Sequence, residues 1–494
     1  MMRLGSLKLK SELEKPDRKL SIRVELVTPQ FGGGAEARKA DANQWLRPAS
    51  VRGALRFWWR ALFGGTYRSI QEMYCAESEI FGGAAIGKEQ SKAGKVSVIV
   101  RVSGEAALDS WAEYQRRDGK RMGIEQRTHP KVTSSALSIA YFPANENKKE
   151  QLPAAKLVSP LAWAELIIYD QSIFGPHQQR LSLKHWQQVE EAVRAYVLFG
   201  GSGSRTRRGA GAISLSSPED AQHLGIPDTT DAIKEWLHQY LRAGQEHDCF
   251  LLSRCQEVYI TPEHYDTGQQ AQEALLKMWR EFRQQRPHPS SWFGPNEWGR
   301  TKWPEADAIR YIADTHASWE NGGHRIHHKP EDKNKGRAPR AHLGLPIVIK
   351  FKDDQSAQNK HPDHQKHGRC KTADPDPNEL VSCKRDKDGK IVRDEHGKVI
   401  LIERYSSPIL LAVTAVWDHE QPTQRKFIGL VLVTKSLLPS DQPLVLKNYT
   451  KPLLPLLPGE WCDVLDGKEA PFGLRAILKR SRFQQIIPAQ GAAP

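Results

Sequence analysis

Ser21-Ile-Arg-Val-Glu-Leu-Val-Thr28 alternates polar and apolar residues and stops at Pro29, the period-two pattern of a strand with one face in a core. Gly32-Gly33-Gly34 follow as a flexible connection. Working outward, Ser50 to Phe63 carries apolar residues at helical spacing and is stopped by Gly64-Gly65. Gly94 to Val102 alternates again, Leu161 to Tyr169 is a further apolar run, and Lys184 to Phe199 sets Trp186, Val189, Val193 and Val197 at helical spacing. After Gly200 the chain can return as a short strand over Ala210 to Leu215. This β-α-β-β-α-β order predicts a ferredoxin-like unit, a topology that RNA-recognition modules also use.

The second half repeats the theme less clearly. It has a strand near Phe250 to Ile260, a helix near Gln269 to Gln284, and apolar runs at Leu345 to Phe351, Pro408 to Val416 and Phe427 to Val433. The expected fold class is therefore α+β: tandem ferredoxin-like (RRM-like) β-α-β-β-α-β domains with insertions, the first over residues 1–220 and the second, decorated one over 245–494. Lys352 to Asp394 is polar and nearly free of large apolar residues, which predicts a mobile insertion, and Asn321 to Arg340 is a basic loop rich in Gly, Pro and His. Neither segment is expected to contribute to a core.

Composition narrows the partners. The 494 residues hold 72 Lys and Arg against 58 Asp and Glu, a net charge of +14, so a polyanion is expected: nucleic acid or an anionic membrane surface. The N-terminal residues lack an apolar signal core, and the longest apolar runs fall short of the roughly 20 residues of a spanning helix, so the expectation is a soluble, cytoplasmic protein with no membrane partner. Six cysteines show no paired spacing and read as reduced thiols.

Two segments carry candidate binding chemistry. Along Ser50 to Phe63, Val51, Leu55, Trp58 and Leu62 form an apolar stripe, while Arg52, Arg56 and Arg60 recur every four residues beside it. No carboxylate occurs between Ala42 and Gln71, and like charges at this spacing repel, so the column calls for a polyanion unless it is a merely solvated face. Ser50 can cap the helix and leave its amides facing a phosphate, and Trp59, beside the arginines, can stack on a base. The second segment is Gly200-Gly-Ser-Gly-Ser-Arg-Thr-Arg-Arg-Gly-Ala-Gly211. Here Gly201, Gly203, Gly209 and Gly211 bracket Arg205, Arg207 and Arg208, a combination suited to a phosphate clamp, with a flexible surface turn as the alternative. All 18 histidines lie at or beyond His129, which weakens a nuclease reading of the first segments. His361, His364, His367 and Cys370, with Cys383 downstream, have zinc-like spacing, but in so polar a tract the spacing reads as accidental; no metal or cofactor is expected.

Taken together, SIRVELVTPQFGGG, RPASVRGALRFWWRAL, Glu79-Ile-Phe-Gly-Gly83 and GSGSRTRRGAG resemble the RAMP superfamily of CRISPR systems, and within it the family of the first subunit of the Cmr (type III-B) effector complex. Trp303 to Arg310, Arg340 to Pro346 and Ser406 to Pro408 are similar to that family's second domain. The resemblance implies a non-catalytic subunit of an antiviral ribonucleoprotein that holds the 3′ portion of a guide RNA and its paired target, next to other RAMP subunits. Cleavage and signalling would belong to other subunits. Two alternatives stand beside it: a guide-processing endoribonuclease and a protein-protein adaptor.

Overall fold

A computed structural model describes residues 18–36, 38–84, 92–110, 116–117, 120–121, 137–141, 155–171, 180–241, 247, 252–284, 303–312, 336–349, 379–386, 388, 390–402, 404–417, 425–447, 456–468 and 472–488. The chain divides into two compact units. One comprises Met1–Arg254, His264–Gln272 and Leu411–Gly429, the other Cys255–Glu263, Glu273–Leu410 and Leu430–Pro494. Helices and antiparallel sheets are mixed throughout, an α+β architecture.

In the N-terminal part, strand β1 (Lys19–Leu26) is followed by helices α1 (Pro48–Phe63) and α2 (Ile70–Phe81), strands β2 (Val96–Val102) and β3 (Trp163–Asp170), helix α3 (Leu183–Phe199) and strand β4 (Ile213–Leu215). Their spatial order is β2-β3-β1-β4, with every neighbouring pair antiparallel. The alternation read in β1 is visible in space. Leu20, Ile22, Val24 and Leu26 are buried, while Lys19 and Arg23 are exposed and Ser21 and Glu25 half-buried on the other face. Helix α1 lies against α3 and brings Val51, Leu55, Trp58 and Leu62 into the core, with Trp58 set 5.7 Å from the ring of Phe199.

The second sheet is built from β5 (Cys255–Ile260) and, further along, three more strands. Helices α4 (Gly268–Gln284) and α5 (Glu305–Ile312) come first, then the short strands β6 (Ile347–Val348), β7 (Glu379–Cys383) and β8 (Leu401–Ile402). Strands β9 (Ile409–Trp417), β10 (Arg425–Thr434) and β11 (Leu444–Leu446), helices α6 (Trp461–Asp466) and α7 (Leu474–Arg480), and strand β12 (Gln484–Ile487) complete the chain. The order in space is β9-β10-β5-β12. Here neighbouring residues are buried together: all nine of β9 and eight of ten in β10.

The polar insertion is shorter than the sequence suggests. Residues 350–378 lie outside the described residues, but Glu379 to Cys383 form the centre of a further sheet, pairing with β6, β8 and β11. Leu380 and Cys383 are fully buried. This short run, Leu380-Val-Ser-Cys383, was hidden by charged residues on both sides. The basic loop is corrected in the same way: Ala338 and Ala341 join a core cluster with Ile309, Leu380 and Leu456.

Beyond β7 the chain folds into a three-way junction. Two octapeptides, Arg385-Asp-Lys-Asp-Gly-Lys-Ile-Val392 and Arg393-Asp-Glu-His-Gly-Lys-Val-Ile400, each make a hairpin, with bridges between Arg385 and Ile391 and between Arg393 and Val399. In both, the aspartate side chain ties the turn: Asp386 Oδ1 accepts from the amides of Asp388 and Lys390, and Asp394 Oδ1 from those of His396 and Lys398. Val392 N donates to Lys384 O, Ile400 N to Val392 O, and Lys384 N to Ile400 O, at 2.9, 3.0 and 2.8 Å. The stem is the β7–β8 pair.

Candidate nucleic-acid interface

Helix α1 begins two residues before Ser50. Pro48 takes the first helical position, where its fixed φ suits the helix and its missing N–H is not needed. Arg47 is the N-cap, with no side-chain cap, and Ser50 is an exposed residue of the first turn, so it does not cap the helix.

The arginine column is compensated in space. Helix α2 folds back and delivers Glu77, 1% exposed, between Arg56 Nε at 2.5 Å and Arg60 Nη1 at 3.5 Å. Arg52 donates to the carbonyl oxygen of Phe81 at the end of the same helix. The carboxylate lies only six residues past the acid-free window. Arg56 and Arg60 keep part of their surface in solvent, but the column holds α2 in place and is not a free basic face.

Trp59 is also placed differently. It is fully buried, its indole Nε1 donates to Gln188 Oε1 of α3 at 3.1 Å, and its ring lies 5.7 Å from Tyr67. A single apolar stripe could not reveal that α3 lies alongside α1 and widens the buried face to include Trp59. Stacking on a base is not open to it.

The glycine-rich loop consists of two unlike halves. Gly203, Ser204 and Arg205 form an exposed tip. Gly203 and Arg205 both have positive φ, 84° and 66°, a costly conformation for an arginine and one that tends to persist at functional positions. The return through Gly209, Ala210 and Gly211 is buried. Gly211, at φ 65°, is required sterically, since a β-carbon there would lie 1.9 Å from Ser202 O. The loop is therefore not a flexible tether. Ser202 N donates to Gly211 O and Gly211 N to Pro29 O, while Thr28 Oγ1 donates to Gly209 O at 2.7 Å and accepts from Ala212 N. Beneath this return, buried Tyr141 donates to Pro29 O at 2.7 Å, and Gln272 Nε2 donates to Tyr141 Oη at 3.0 Å. Burial raises the Tyr141 pKa, so the phenol stays a donor.

Several candidate groups converge at the tip. Ser204 N donates to Phe31 O, Ser202 Oγ and Gln30 Nε2 both donate to Trp45 O, and Arg47 donates to Gly33 O. The start of α1, the triple-glycine turn and the tip with Gly203 and Arg205 thus form one surface. Gly201 lies under it, where a β-carbon would meet Gly211 O at 2.7 Å. Arg207 and Arg208 are half-buried on the return, and desolvation lowers the Arg207 pKa to about 10, which leaves the guanidinium charged at neutral pH. Arg56 and Arg60 do not join this group; they lie about 12 to 18 Å further along the helix axis. Sequence reasoning missed Thr28, Gln30, Tyr141 and Gln272, whose roles depend on partners far away in the chain.

The histidine and cysteine ligands considered for zinc divide: His361, His364, His367 and Cys370 lie outside the described residues. Cys383 is buried in β7, donates to Pro443 O at 3.3 Å, and has its thiol pKa pushed up by burial to about 11. Among the described residues, no helix is long and apolar enough to cross a membrane.

Residues 23–214 match the RAMP superfamily model. The CRISPR system Cmr subunit Cmr1-2 of Pyrococcus furiosus is 22% identical over 213 residues, which covers 39% of this chain and 92% of that protein. Among solved structures, the apo form of Cmr1 from Pyrococcus furiosus aligns with a TM-score of 0.44 at 12% identity, covering 95% of this chain and 99% of that one. A chain of the type III-B Cmr-beta complex bound to cognate target RNA aligns with a TM-score of 0.40 at 11% identity, covering 85% and 95%.

Proposed function

From a chain that is a RAMP-superfamily protein over residues 23–214, we propose an RNA-binding, non-catalytic subunit of a type III-B CRISPR ribonucleoprotein. In this reading both sheets belong to ferredoxin-like domains, and the protein holds the 3′ portion of a guide RNA with its paired target, next to other RAMP subunits in the cytoplasm. The observation that carries it is the rigid tip at Gly203 to Arg205. It is tied to Phe31 O through Ser204 N, continues into a return that Thr28 holds at Gly209, and is set beside the triple-glycine turn and the start of α1. Exposed glycine backbone, a helix start and a guanidinium on one surface suit phosphate oxygens and carry no base-edge reading, as a varying guide requires.

The test is a salt titration of binding to labelled single-stranded RNA. Arg205→Ala is expected to weaken binding to all sequences alike and to flatten the log-log salt dependence by about 0.7. An unchanged slope with unchanged affinity would remove the tip from the interface. Running the same samples on a denaturing gel without metal addresses the second reading: specific cleavage of repeat RNA by the isolated protein would replace the binder with an endoribonuclease. Absence of any RNA binding, with partner association intact, would leave an adaptor.

A further inference from the structure

The face of the first sheet turned away from α1 and α3 has no role in the reading above. The register places its residues in rows: Lys19, Tyr169 and Ser97; Ser21, Ile167 and Ile99; Arg23, Glu165 and Arg101; then Glu25 and Trp163. The guanidinium carbon of Arg23 lies over the indole of Trp163, 3.7 Å from the ring centroid. The two acids on the strands of the face are already neutralised, and beside them Asp220 accepts from the Arg23 amide at 3.1 Å. Glu165 accepts from Ser21 Oγ at 2.9 Å and from Arg101 at 3.1 Å, and Glu25 pairs with Arg425 at 2.9 Å. Among the described residues, neither Lys19 nor Arg23 has a carboxylate within ion-pair distance.

We infer that this face is a second binding surface for single-stranded RNA, separate from the glycine-rich tip, with the stacked Arg23–Trp163 pair as its platform for a base. Three features favour RNA over a protein partner. The uncompensated charge is positive. The exposed large apolar side chains are Ile99 at 37% on the strands and Leu161 at 65% just before Trp163, too few for a protein contact core. The guanidinium is already held over an indole ring, so little side-chain freedom is lost when a base stacks on the pair. The row containing Lys19 lies four residues before the Arg23 row along β1, where a backbone phosphate of the same strand can be met.

The inference rests on the protein binding RNA but not on the tip, and the experiment separates the two. Full-length protein is irradiated with a 5-iodouridine-substituted 12-mer, and cross-linked peptides are mapped by mass spectrometry. Cross-links are expected on the peptide that contains Trp163 to Asp170, and they should survive Arg205→Ala. In fluorescence-anisotropy titrations, Trp163→Leu should lose the cross-link and about 5- to 150-fold in affinity. Because Trp163 is half-buried, Arg23→Lys serves as the second variant: it keeps the charge and the fold, and should weaken binding while leaving the salt slope unchanged. Cross-links confined to the glycine-rich tip, with normal binding by both variants, would overturn this surface and leave the proposed function standing. Loss of a protein partner from either variant at unchanged RNA affinity would overturn it in favour of protein docking. If wild-type protein binds no RNA at all, both readings fall.

Discussion

The two four-stranded sheets share a strand order yet meet their surroundings in opposite ways. Numbered along the chain within each sheet, both run second, third, first, fourth. In the first sheet, β1 alternates buried residues with exposed and half-buried ones, so every second side chain reaches solvent. In the second, β9 and β10 bury neighbours on both faces. Burial on both faces removes the need for alternation, which is why ILLAVTAVW and FIGLVLV are continuous apolar runs whereas SIRVELVT is not. One topology therefore leaves side chains in reach of solvent in one place and builds structural bulk in the other, and the difference lies in every second residue of a strand.

The largest expected break between them concerns charge on an inner strand of each sheet. Glu257 on β5 is fully buried and held by Arg475 at 2.5 Å, so Arg475→Ala should cost about 3 kcal/mol or more by stranding a buried carboxylate. Arg101→Ala, which frees the half-buried Glu165 on the first sheet, should cost under about 1 kcal/mol in the same denaturant titration. Equal losses would mean that the first face is not open. Next come adjacent leucines. Leu410→Ala and Leu411→Ala point to opposite faces of β9 and should each cost about 2 to 5 kcal/mol, because both are buried. On β1, Ile22→Ala should fall in that range and its neighbour Arg23→Ala within about 0.5 kcal/mol.

The smallest effect is a pH dependence that separates the units. His342 is buried, with Nε2 on Gly459 O at 2.7 Å and Nδ1 beside Ser436 Oγ at 2.8 Å, and desolvation lowers its pKa below 6.5. The unfolded chain therefore takes up the proton first, and stability falls as pH drops through about 6.5. The first sheet has the opposite kind of group. The Ser21 hydrogen bond, with Arg101, holds Glu165 below the usual carboxylate range, so its contribution is lost only in stronger acid. Amide exchange followed from pH 7 to 5 should show the second unit loosening first, and His342→Gln should abolish that loss.

Strand periodicity made the first sheet legible, and the apolar runs marked β5, β9 and β10. The helix stripe Val51, Leu55, Trp58 and Leu62 was equally plain. What one segment cannot show is its neighbour. Trp59 sat beside arginines in sequence but faces Gln188, 129 residues away, and the acid-free window ended just before Glu77. The loop glycines were visible, but the network that holds them spans Thr28, Tyr141 and Gln272. Its members carry no local signal, because a buried polar side chain takes its meaning only from its partner. Strand β7 was lost for a different reason: its apolar run is short and its flanks are charged.

The three-way junction at Lys384 to Ile400 bears on how this protein could be handled. Its outer hairpins, 385–391 and 393–399, return the chain to residues already joined by a backbone hydrogen bond, Lys384 N to Ile400 O at 2.8 Å. A segment that leaves and re-enters a sheet at one rung can be exchanged without changing the rungs below it. Arg385 to Val399 is thus a natural docking point for a reporter, where a fluorescent label or an affinity sequence can replace the native hairpins while β7 keeps its three partners.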